Sequence, residues 1–217
     1  MSEFAVMPRG NAVAEVEQMV STDGRNRRAA ETRRKVIEAA KAMITETSVA
    51  PTVVGVAKRA DVSVRSVFQH FGDVESLFVT VVDSVSKDLV VPPETPETLP
   101  LAARVDTFTR NMAQLYEQIV PLRVAAGQFV GHPGLIERGL VIQNGLRDAA
   151  FRAFDHEFAA LSEAEKEALA DAIVAALSLD AWVALRRQQN LSFERAVAAW
   201  RLTLGALLAH PVMQAAA

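Results

Sequence analysis

Arg65, Ser66, Gln69 and His70 fall within six consecutive positions, and each side chain can donate a hydrogen bond. Arginine and glutamine in such a set can pair with guanine and adenine edges, while hydroxyl and imidazole groups can meet phosphate oxygens. That chemistry is one of recognition, and it needs a short rigid element to present all four groups together. Val64, Val67, Phe68 and Phe71 recur among them at helical spacing. Residues 64–71 are therefore predicted to form a helix that buries these four and turns the polar four outward.

Ser63 precedes that helix and can accept backbone N–H bonds at its start. Upstream, Thr52 follows Pro51 and is a natural cap for another short helix, whose apolar stripe is Val53, Val56, Ala57 and Ala60. Asp61-Val62-Ser63 interrupts the stripe over a stretch too short for a loop. Residues 52–71 thus predict a helix-turn-helix, in which the second helix enters the major groove.

Charge agrees with that prediction. Between Gly24 and Gly72 ten basic residues meet four acidic ones, a local net of +6, whereas the whole chain has a formal charge of −3. The remainder must carry −9. A basic head on an acidic body is the electrostatic footprint of phosphate binding, the plainer alternative being a solvated charged face. Arg25-Asn26-Arg27-Arg28 reads as a basic arm able to reach DNA beside the helix pair.

These residues carry a family resemblance. The head resembles the DNA-binding domain of TetR family transcriptional regulators. Thr32-Arg33, Val36-Ile37, Ala39-Ala40 and Met43-Ile44 look like that domain's first helix, and Val56-Ala57 with Ala60-Asp61-Val62-Ser63 looks like its second helix and turn. Val67-Phe68-Gln69-His70-Phe71 matches its recognition helix. Phe68 stands where the family usually has tyrosine, Asp61 where it usually has glycine, and Val74 where a lysine commonly opens the next helix. Two usual phosphate contacts are thereby missing, and Arg65, Lys58 and the basic cluster over 25–35 are expected to carry more of the backbone affinity.

The resemblance implies an all-α protein with an N-terminal three-helix helix-turn-helix DNA-binding domain over 25–72 and a C-terminal helical ligand-binding and dimerisation domain over 73–217. It further implies a homodimer on a pseudopalindromic double-stranded operator, with repression as the family default. Contacts with DNA are expected from Arg25, Arg27 and Arg28 in the basic arm, from Thr32 and Arg33 on the first helix and from Thr52 and Lys58 on the second. Ser63, Arg65, Ser66, Phe68, Gln69 and His70 are expected to make them from the third.

Composition supports an all-α class, since half of the 217 residues are hydrophobic and long stretches lack strand-like alternation. The absence of cysteine removes disulfide and thiolate chemistry and fits a reducing cytoplasm, the expected location. The uncharged runs 172–179 and 202–210 fall short of the ~20 residues that a bilayer demands, so neither membrane insertion nor secretion is expected. No cofactor, metal site or catalytic group is expected. His70, His132, His156 and His210 are not spaced as helical zinc ligands, and no glycine loop cradles a phosphate. Asp155-His156-Glu157 reads as a solvated helix end, because consecutive helical positions diverge.

In chain order, residues 1–24 read as a poorly ordered tail, and the first helix is predicted from Arg27 to Thr45 or Glu46. Asp73 can cap a fourth helix carrying Leu77, Phe78, Val81, Val82 and Val85. Prolines at 92, 93, 96 and 100 force a surface connection. In the body Pro121 is expected to end a helix that begins near Leu99, with a short helix from Leu122 to Val130 after it. Residues 131–134 then turn into a helix from Leu135 to Phe158. Ser162 and Glu165 form a capping box for another, predicted to reach Gln189, where Asn190 suits the C-terminus. The last helix starts at Ser192 and is striped by Ala196, Trp200 and Leu204.

The last two helices resemble the pair that packs on its twofold mate in the family, and Ala175, Ala176, Ala181 and Ala184 permit close approach. Core packing within one chain explains the same residues. A small hydrophobic effector is expected in the body, where Phe108, Met112, Tyr116, Phe129, Phe151 and Trp182 could wall a cavity and Gln128, His132 and Gln143 could orient a ligand. An ordinary core is the alternative for that set. For the whole chain the competing class is a helical enzyme or small-molecule carrier whose basic head is incidental.

Overall fold

A computed structural model of the chain describes the backbone of residues 11–129 and 131–209, with side chains from residue 25 onward within those limits. Among the described residues the chain is helical and contains no strand. Helix α1 spans Asn11–Thr47, starting well before the predicted Arg27. Ala12 to Val20 is rich in Ala, Val, Glu, Gln and Met, all tolerated in a helix, and no proline interrupts it. The expected tail therefore overlaps α1 over 11–24, and residues 1–10 lie outside the described ones. Arg25, Arg27 and Arg28 sit on the helix itself rather than on an extended arm.

Helices α2 (Val53–Ala60), α3 (Val64–Phe71) and α4 (Val74–Asp88) follow. Val36, Ala40 and Ile44 of α1 pack with Val56, Val67, Leu77, Phe78 and Val81 in one buried cluster. Leu122 and Ala125 join the same cluster from the body, so the head's core extends beyond Phe71.

The body comprises α5 (Leu101–Ala125) with a 3-10 turn over Ala126–Phe129, α6 (Pro133–Ala153), α7 (Asp155–Ala159) and α8 (Glu163–Ala176). It ends with α9 (Leu179–Val183), a π-helical turn over Ala184–Gln188, and α10 (Phe193–Ala209). Its core gathers Phe108, Tyr116, Phe154, Ile173, Trp182 and Trp200. Helix α5 runs through this core, against α10 and α9 on the body side and α1 on the head side.

Three further predicted boundaries, all in the body, differ from the structure. Pro121 does not end α5; the helix continues four residues further because Val120, Leu122 and Ala125 are buried, and packing outweighs the amide that Pro121 cannot give to the carbonyl of Glu117. The helix predicted to reach Phe158 breaks at Phe154, where φ is −127°. The helix predicted to reach Gln189 breaks at Leu177, and Ser178 caps α9 by accepting the Ala181 N–H at 3.1 Å. Glu163–Gln188 is by length and composition apolar enough to cross a bilayer, unlike the shorter runs weighed above. Here it is interrupted at Leu177–Ser178 and buries Leu169, Ile173, Leu177 and Trp182 in the body.

The break at Phe154 serves Arg104, whose guanidinium is buried. Its Nη1 donates to the Ala153 carbonyl at 2.9 Å and its Nε to the Leu99 carbonyl at 3.0 Å. Both terminal nitrogens donate to the Glu157 carboxylate, at 2.7 and 2.6 Å. Glu157 is thus no solvated helix end. The hydrogen bonds from Arg104 hold its carboxyl below the usual range against an opposing effect of burial. Glu157→Gln leaves a buried cation without its anion and should cost about 3 kcal/mol in urea unfolding at pH 7. Because the folded-state pKa is depressed, the pair's contribution is fully present above the ordinary value of 4.5 and is lost as pH falls through the folded value. The variant's stability should accordingly fall less steeply than the parent's below pH ~5.

Candidate nucleic-acid interface

Capping fixes both ends of the short helices. The Thr52 hydroxyl oxygen accepts the Gly55 N–H at 3.1 Å, and Ser63 Oγ accepts the Ser66 N–H at the same distance. Between them Asp61 holds φ at 54°, a left-handed turn that aspartate tolerates and glycine would fill without strain. Gly72 closes α3 at φ 79°, and the Asp73 carboxylate accepts the Ser76 N–H at 2.6 Å to open α4. That hydrogen bond also lowers the Asp73 pKa. Helix α2 comes so near α1 that a Cβ on Gly55 would lie 2.9 Å from Met43 Cε.

Val67 and Phe71 are buried and anchor α3. Arg65 and Gln69 lie exposed on the far side, whereas Ser66 and His70 are half-buried. Val64 and Phe68 were predicted inward and are instead 38% and 49% exposed, adjoining Arg65 and Gln69. An eight-residue helix offers its supporting helices one narrow face, and the apolar pattern of α3 is wider than that face.

Several of the head's cations are spoken for. Arg59 makes two bonds to Glu46 at 2.6 and 2.5 Å, Arg34 pairs with Glu31 at 2.7 Å, and Lys41 with Asp88 at 2.5 Å. The Arg33 guanidinium lies 5.1 Å from the centroid of the Phe71 ring and so covers the α3 anchor from α1. Arg28, Lys35, Lys58 and Arg65 are exposed and enter no ion pair among the described residues. Thr32 is half-buried on α1, and the hydroxyls of Thr52 and Ser63 are engaged as caps. The site therefore offers exposed cations at its margin and a mixed polar and apolar face on α3.

The residues predicted to form a pocket in the body divide between the body core, the head cluster and the surface. Phe108, Tyr116 and Trp182 are buried in the body core, with Met112 and Phe151 packed at its edge. Burial there pushes the Tyr116 hydroxyl pKa up. Phe129 packs on Phe78 in the head cluster with ring centroids 4.8 Å apart. Gln128 and Gln143 are exposed, and His132 is half-buried with Nδ1 unpartnered. A cleft does lie where α1, α4 and α5 meet. Its lining comes from three distant stretches of sequence, and no local motif could have pointed to it. No protein-family model matches the chain, and no curated protein sequence matches it.

The turn between α2 and α3 gives a direct test of this geometry. Asp61→Val forces a β-branched residue into left-handed backbone and should lower stability by about 1–2 kcal/mol in urea titration. Asp61→Gly removes the strain and should not.

Proposed function

We propose that the chain is a dimeric, ligand-responsive DNA-binding transcriptional regulator in which α2 and α3 form a helix-turn-helix. The observation that carries this reading is the exposed face of α3, where Arg65, Gln69, Val64 and Phe68 lie together on a helix anchored by Val67 and Phe71. A monomeric protein gains nothing in water from a half-exposed phenylalanine and valine on one short helix. In a major groove they meet thymine methyl groups, while Arg65 suits guanine and Gln69 adenine. Arg28, Lys35 and Lys58 then supply phosphate affinity at the margins. Phe68, which has no hydroxyl, serves base contact rather than the phosphate contact that a tyrosine would make.

The resemblance to TetR family regulators supports a twofold assembly through the last helices. Helices α8 and α10 lie side by side, and their outer faces carry exposed Ala164, Ala168 and Ala175 beside Ala198, Leu202 and Ala206. Leu202 is 76% exposed. Leu204, on the apolar stripe of the same helix, is buried in the chain's own core. Ligand response would pass through α4, which Asp83 ties to α6 through two bonds to Arg138 at 2.6 and 2.7 Å.

Anisotropy titrations on duplexes selected from a random pool test the reading. Arg65→Ala or Gln69→Ala should cost about 1–3 kcal/mol on the preferred duplex and relax its sequence preference. Lys58→Ala should weaken all duplexes alike and reduce the salt slope by about one. Phe68→Ala should erase any preference for thymine over uracil. Parent-like binding by all four variants would mean that α3 does not face the duplex. Leu202→Glu should give a helical monomer in sedimentation, with operator affinity lost because two linked half-sites bind far more tightly than one. An unaltered dimer would put the interface elsewhere.

A further inference from the structure

The cleft at the junction of α1, α4 and α5 has a volume of about 180 Å³. Ile44, Val85 and Leu122 form its apolar floor, and Lys41 and Asp88 stand at its rim. Those two are paired at 2.5 Å and join α1 of the head to the last turn of α4. Lys41 is the more covered partner, with 28% of its side chain exposed against 60% for Asp88. Gln118 forms one wall. Its amide accepts the Val90 N–H and donates to the Val90 carbonyl, both at 3.0 Å, which pins the chain after α4 onto α5. Pro121 lies in the same wall, so α5 lacks a backbone hydrogen bond where it meets the cleft.

We propose that this cleft binds a small monocarboxylic acid of about benzoate size, its carboxylate replacing Asp88 on Lys41 and its apolar body lying on Ile44, Val85 and Leu122. The size fits, since a cavity of about 150 Å³ suffices for benzene. The sign of the ligand follows from burial. Displacing Asp88 returns an exposed carboxylate to water at small cost, whereas an amine on Asp88 would strand the more covered Lys41 without an anion. Occupation breaks the link between α1 and α4 and changes how the head sits on the body. That regulatory consequence rests on the DNA-binding reading; the site itself does not.

Calorimetric titration of the full chain without DNA, using benzoate and its neutral counterpart benzamide, tests the site. Benzoate should bind at least about tenfold more tightly than benzamide, and Lys41→Gln should abolish that difference. Asp88→Asn changes a surface side chain and removes the competing carboxylate, so it should tighten benzoate binding several-fold. Val85→Phe fills the floor and should abolish binding of both compounds. Equal binding of the two compounds, no binding of benzoate, or an Asp88→Asn variant with unaltered benzoate affinity would overturn the proposal. A parallel duplex titration separates the two claims: benzoate binding by a chain that binds no duplex refutes the regulator alone, and duplex binding without benzoate binding refutes the cleft alone.

Discussion

Eight-residue helices do not persist in water by themselves, because the nucleation cost of a helix is not recovered over so few turns. Helices α2 and α3 exist because Val56, Ala57, Ala60, Val67 and Phe71 are buried in one cluster with α1 and α4. Every property of the candidate interface depends on that burial. It leaves Arg65 and Gln69 outside, it fixes the turn that places Asp61 in left-handed backbone, and it sets Phe71 under the Arg33 guanidinium. The caps at Thr52 and Ser63 each engage one free amide in the first turn, that of Gly55 and that of Ser66, and so fix where each helix begins.

The same cluster couples the head to the rest of the chain. Leu122 and Ala125 of α5 are buried within it, and α5 continues into the body core through Tyr116 and Phe108. Polar links run parallel to this apolar path. Asp83 binds Arg138, Lys41 binds Asp88, and the Glu117 carboxylate accepts from both Trp182 Nε1 and Arg186 Nε, at 2.9 and 2.7 Å. The α4–α5 junction and α3 are thus in contact with one and the same buried cluster.

Much of the head was legible in the sequence because its signals are local. Thr52, Ser63 and Asp73 cap as their positions predicted, and Ser162 with Glu165 forms the expected capping box. Asn190 adopts the positive φ expected after a helix. Local rules failed where tertiary contacts decide. Pro121 stays inside α5 because its neighbours are buried, Val64 and Phe68 are left outside because α3 has only one supported face, and Leu177 breaks a helix that composition alone would continue. Of the expected pocket residues, Phe108, Met112, Tyr116, Phe151 and Trp182 belong to the body cluster and Phe129 to the head cluster, while the polar Gln128, His132 and Gln143 belong to neither. Arg104 and Glu157, 53 positions apart, form a largely covered pair that no spacing rule anticipates.

In the proposed function the exposed face of α3 reads duplex DNA. Equilibrium binding of the parent to a selected duplex and to a scrambled one, followed across salt concentration, tests it most directly. The logarithm of affinity should fall linearly with the logarithm of salt for both duplexes, with the selected one bound at least about 10³-fold more tightly at physiological salt. Absence of binding at low salt, or equal affinity for both duplexes, would contradict it.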